Sequence, residues 1–156
     1  MISAAEHQAM IAGGKGNNNF QERNVKPNVA EFLFEYYCAE KGYHLHRLGS
    51  DPSKPIPKFF DLNPYIRNLP DYIVTTPETT YLVNVKGSAN FKHKDYLMME
   101  ELKKHYGSEK SHFVYAFQFL NEDPRMMTIE MIRKKYDEAG EDKQWSDGVI
   151  YRTLKL

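Results

Sequence analysis

The sequence predicts an α/β fold of the α+β kind, with a mixed β-sheet flanked by helices. Two adjacent β-branched and aromatic runs joined by a turn predict an antiparallel hairpin. A strand–helix–strand segment after it predicts a crossover into the same sheet. An amphipathic helix ahead of the hairpin supplies a covering layer.

Residues 1–27 read as a flexible N-terminal arm, and 28–156 as the folded domain. Within the arm, Gly13-Gly14-Lys15-Gly16-Asn17-Asn18-Asn19 has no apolar period and a high turn content. The first strong element starts at Pro27-Asn28. Asn28 is a good N-cap, and Glu31 three residues on completes a capping box. This helix is expected to carry Phe32, Leu33, Tyr36 and Tyr37 on its apolar face and to stop at Gly42. An alternating segment from Tyr43 to Leu48 reads as a strand. The proline-rich stretch 49–69 reads as a long loop, folded down through Phe59, Phe60, Leu62, Tyr65 and Ile66. The hairpin runs from Leu69 to Gly87, with its turn at Thr76-Pro77-Glu78-Thr79. A helix from Lys94 to His105, a buried strand from His112 to Leu120, a helix from Thr128 to Ala139 and a last strand from Gly148 to Leu154 follow.

Composition narrows the function classes. The chain has 156 residues, 41% hydrophobic and 27% charged, as expected for a globular domain. Its apolar runs fall short of the roughly 20 residues needed to span a bilayer, so no membrane partner is expected. The N-terminus lacks a basic-then-apolar secretory pattern, which makes the cytoplasm the expected compartment. Cys38 is the single cysteine, so an intrachain disulfide and a cysteine zinc cluster are excluded, and its apolar setting reads as a buried small residue. The formal net charge is zero, from 21 basic and 21 acidic residues, which disfavours a protein that coats nucleic acid through bulk charge.

The hairpin carries the chemistry. With its turn centred between Pro77 and Glu78, Asp71 lies opposite Asn84, and Ile73 opposite Leu82. Side chains alternate along a strand, so Lys86 shares the face of Asn84, while Val83 and Val85 point away. Three polar groups thus converge at one end of an apolar hairpin.

Pro70-Asp71, followed by a strand ending Asn84-Val85-Lys86, resembles the signature of the PD-(D/E)XK nucleases. The order of elements over roughly residues 28–120 is similar to that family's core. The resemblance implies a restriction-endonuclease-like sheet and metal-dependent endonuclease activity on DNA, with Mg²⁺ or Mn²⁺ as cofactor. It implies metal ligation by Asp71, Asn84 and the Val85 carbonyl, with Lys86 orienting the attacking water and stabilising developing charge. Glu31 would serve a second metal ion or its water. Glu31 is equally the N3 member of the capping box, and Glu35, one turn on, is the alternative helix acid. The sequence departs from the signature at Asn84, where the family has Asp or Glu. An amide oxygen ligates without charge, so a second reading follows: a catalytically impaired module that binds nucleic acid or a host protein. A homodimer is a candidate assembly.

Lys92 and Lys94 after the hairpin, with Lys54, Lys58 and Arg67 before it, are candidates for a phosphate track; scattered surface charge is the equal alternative. His44 and His46 share a strand face, but without a carboxylate or cysteine at ligand spacing they read as a solvent-facing edge. The Met126-Met127 pair and Trp145 carry no functional reading.

Overall fold

A computed structural model describes residues 29–48, 58 and 61–156. The expected arm over 1–27, its boundary with the domain, the Asn28 cap, Lys54 and the Phe59-Phe60 pair lie outside the described residues. Among the described residues no helix is long and apolar enough to cross a membrane.

Helix α1 covers Val29–Lys41 and ends at Gly42, whose φ of 70° favours glycine. Its buried line is Ala30, Phe34 and Cys38, whereas Phe32 is 40% exposed, which corrects the expected phase of the apolar face. The helix is apolar on more than one side, so sequence hydropathy left its phase undetermined. Close packing selects the Ala30 side, since a Cβ added at Gly87 would meet the Ala30 Cβ at 3.0 Å. Burial pushes the Cys38 thiol up to about 11, in keeping with an inert core residue.

Strands β1 (His44–Arg47), β2 (Tyr72–Thr75) and β3 (Thr80–Lys86) form an antiparallel meander. The β2–β3 pairs are Tyr72 with Val83, Ile73 with Leu82, Val74 with Tyr81 and Thr75 with Thr80, the register expected from the turn. Thr76 closes that turn, its Oγ accepting from the backbone of Glu78 and Thr79. Helix α2 (Pro64–Arg67), capped by Asn63, is a helical turn in what the sequence presented as loop. Tyr65 packs down as expected, stacked on His105 at 4.3 Å, while Ile66 is 49% exposed.

Short strand β4 (Asn90–Lys92) then leads into helix α3 (His93–Tyr106). Strand β5 (Ser111–Phe117) returns parallel to β3, and β6 (Arg125–Thr128), which contains the two adjacent methionines, pairs antiparallel to β5. The main sheet therefore has the order β1-β2-β3-β5-β6, a mixed sheet as expected. One face holds Tyr72, Val74, Val83, Val85, Val114 and Ala116 against α1. The other holds Leu82, Phe113, Tyr115 and Phe117 against α3 and against helix α4 (Ile129–Ala139).

The last strand does not join this sheet. Strands β7 (Lys143–Gln144) and β8 (Ile150–Thr153) pair with β4 in a separate three-stranded antiparallel sheet, ordered β4-β8-β7. Strand β6 already occupies the free edge of β5, and β4 offers a second edge to which β8 attaches. Phe91 of β4 and Leu154 after β8 are buried in the common core.

Phe91 is 1% exposed and makes edge-on contacts with Tyr115 and Tyr136. Phe91→Ala is expected to cost about 3–5 kcal/mol, read as a lower urea midpoint with unchanged slope. An unchanged midpoint would mean the small sheet is not part of the core.

Candidate active site

The site is built where the β2–β3 hairpin runs out. Pro70 is buried and donates no N–H, so the ladder stops after the Tyr72–Val83 pair. Continued by one position, that register would set Asp71 opposite Asn84, the arrangement expected from the sequence. Asp71 there replaces a strand residue with its side chain: its Oδ2 accepts the Val85 N–H at 2.7 Å. Its own carbonyl accepts from Leu48 N at 2.9 Å, tying the end of β1 to the same point.

Asn84 and Lys86 leave β3 on the α3 side. In the parallel register Asn84 is paired with Tyr115. Burial raises the Tyr115 hydroxyl pKa, with the charges of Asp95 and Asp71 adding to the rise and the Asn84 side chain opposing it. The Lys86 ammonium pairs with Asp95 Oδ2 at 2.8 Å and lies 5.6 Å from the centre of the Phe91 ring. Lys86's carbonyl accepts from Gln118 N on the β5 side. Carbonyls alternate along a strand, so that of Val85 turns toward the Asp71 side.

Helix α1 reaches the same point from the opposite face. Glu31 pairs with Arg47 at 2.7 Å, and Arg47 spans onward to Glu35 at 3.4 Å. Tyr72 donates its hydroxyl to Glu35 Oε1 at 2.6 Å. Burial first, and then the charge of Asp71, push the Glu31 pKa up to about 7. Burial also raises the Asp71 pKa, against the Val85 N–H and the charges of Lys86 and Arg47, with Asp95 adding repulsion.

The remaining predicted residues are dispersed. Lys58 is exposed at a backbone φ of 54°, Arg67 is on α2, Lys92 on β4 and Lys94 in the first turn of α3. His44 and His46 lie exposed on edge strand β1, in agreement with the sequence reading. Asp95, Arg47 and Tyr115 were not anticipated. Asp95 was in principle visible, as an acid in the first turn of the helix that follows the Lys86 strand. Arg47 and Tyr115 become neighbours only through sheet pairing.

The donors suit a hard cation in part. Asp71, the Asn84 amide oxygen and the Val85 carbonyl are all oxygen ligands, the chemistry Mg²⁺ and Mn²⁺ prefer. Among the described residues no cluster of three or more His, Cys, Asp or Glu side chains is close enough to form a protein cage.

No family model matches the sequence, and no curated protein matches it. Among solved structures, the chain is similar to Hjc, a Holliday junction resolvase from the archaeal hyperthermophile Archaeoglobus fulgidus. The TM-score is 0.43 at 10% identity, over 79% of this chain and 85% of that one. A likeness of that degree assigns neither family nor activity, so the functional reading rests on the side chains.

A carboxyl whose folded-state pKa is raised holds its proton more tightly when folded, so stability falls as pH climbs from the ordinary value through the raised one. For Glu31 that window runs from 4.5 to about 7. Across it, wild type should lose stability relative to Glu31→Gln in parallel chemical denaturations. A constant difference would show that Glu31 ionises as it does in the unfolded chain.

Proposed function

We propose that this chain is a metal-dependent endonuclease of the PD-(D/E)XK type that hydrolyses phosphodiester bonds in DNA. The observation that supports it best is the hairpin end, where Asp71 is pinned to Val85 N–H at 2.7 Å beside Asn84 and Lys86.

Asp71, the Asn84 amide oxygen and the Val85 carbonyl would hold Mg²⁺ or Mn²⁺. When bound, the ion supplies charge neutralisation at the phosphoryl oxygens and a more acidic water. The protein's own groups do the rest. Asp95 fixes the Lys86 ammonium at 2.8 Å, so Lys86 presents its remaining N–H groups to the attacking water and a phosphoryl oxygen without searching for a rotamer. Asn84 lies beside Tyr115 in the β3–β5 register. Glu31, poised near neutral pH with its pKa at about 7, can take up or release a proton on the side facing α1, and Arg47 holds it there.

A second reading is favoured by Asn84 itself. With an amide at the second ligand position, the site has one negative charge fewer than the signature implies. In that reading the chain binds nucleic acid through the same face without cutting it.

Plasmid, single-stranded and branched DNA incubated with Mg²⁺ or Mn²⁺ separates the two. Metal-dependent cleavage that falls by about a hundredfold or more in Lys86→Ala supports the nuclease. Equal, metal-independent background from both proteins rejects it. In calorimetry, Asn84→Asp should tighten Mn²⁺ binding by restoring the missing charge; unchanged affinity would mean that this face is not a metal site.

A further inference from the structure

The small sheet has an outer face that the nuclease reading does not use. On β4, Phe91 points into the core, so Asn90 and Lys92 point outward. On β8, Arg152 lies on the inner side with its guanidinium 4.5 Å from the Tyr136 ring centre, so Tyr151 and Thr153 point outward. The register sets Lys92 and Lys143 on either side of Tyr151, in one row across the three strands. Trp145, two residues after Lys143, stacks on Tyr151 at 4.2 Å and 19°, and the Lys92 ammonium lies 5.9 Å from the Trp145 ring centre. Lys143 also donates to Thr153 Oγ1, which donates to Asn90 Oδ1, so polar bonds brace the row.

This face is built from two half-buried flat rings flanked by two lysines. Asp142 pairs with Arg152 at 2.7 Å, and Asp147 accepts the Val149 N–H in the turn. Core packing does not require a tryptophan here, because the buried contacts of this sheet come from Phe91 and Leu154 on its other side. Stacked aromatics beside cations are what unpaired bases and their phosphates select, since each base offers a π-face and each linkage a charge.

The geometry points to the outer face of the β4-β8-β7 sheet as a platform for single-stranded nucleic acid, with bases stacking on Trp145 and Tyr151 and phosphates on Lys92 and Lys143. Six residues separate Lys92 from Lys86, a span of no more than about 22 Å, so a strand on the platform passes near the hairpin end. The platform rests on the nucleic-acid reading above only for its class of ligand, and it uses none of the hairpin residues.

Trp145 is the single tryptophan of the chain, so its emission reports this face alone. Oligo(dT), oligo(U) and a duplex of equal length, each end-labelled, are titrated into the protein in EDTA while anisotropy and tryptophan emission are followed. Quenching by the single strands, weaker with duplex, supports the platform; the dT and U arms separate DNA from RNA. Tyr151→Ala should weaken binding by about fivefold or more. The surface change Lys143→Ala should weaken it and flatten its salt dependence, while Lys110→Ala, on an exposed distant turn, should do neither. Anisotropy that rises with unchanged emission, or no binding at all, overturns the proposal. Quenching by a protein that never cuts DNA with metal keeps the platform and removes the nuclease; cutting without quenching does the reverse.

Discussion

The structure depends on one bond, the Asp71 carboxylate accepting the Val85 N–H. The β2–β3 pairing ends at Tyr72 with Val83, and beyond it the Val85 N–H takes its acceptor from the Asp71 side chain instead of from the strand ladder. A hydrogen bond to an ionised acceptor is worth about 1.5–3 kcal/mol, and losing it also leaves a polar group desolvated. The same bond fixes the carboxylate against the strand that carries Asn84 and Lys86. Leu48 N on the Asp71 carbonyl extends the constraint to β1, and thereby to Arg47 and its pair with Glu31. Local backbone satisfaction and the placement of the polar cluster are therefore one constraint.

Burial sets the electrostatics of that cluster. Glu31, Asp71 and Asp95 supply three carboxylates, and Arg47 and Lys86 supply two cations. The raised pKa values of Glu31 and Asp71 show that neighbouring cations do not fully offset desolvation and mutual repulsion. Asn84 adds no charge to the cluster, and the Lys86–Asp95 pair holds the ammonium in place.

Much of this was legible because strand periodicity and turn chemistry are local. The turn at Thr76–Thr79 determined the β2–β3 register and the inward direction of Val83 and Val85. The parallel β3–β5 crossover followed from a helix between two apolar runs. What failed was non-local or too short. Strands β4 and β7 are too brief to show alternation, so the second sheet that they form with β8 was not visible in the sequence. Helix α1 has apolar residues on several sides, and only its approach to Gly87 selects Ala30, Phe34 and Cys38. Asp95, Arg47 and Tyr115 reach the site through sheet order and helix packing, which composition does not encode. Trp145 had no meaning until Tyr151 was found beneath it.

The most direct test of a metal site at the hairpin end is a Mn²⁺-soaked crystal examined by anomalous diffraction. One strong peak within coordinating distance of Asp71, the Asn84 amide oxygen and the Val85 carbonyl is the predicted result. A map with no peak there, or a peak held by other residues while Asp71 keeps only its bond to Val85, would contradict it.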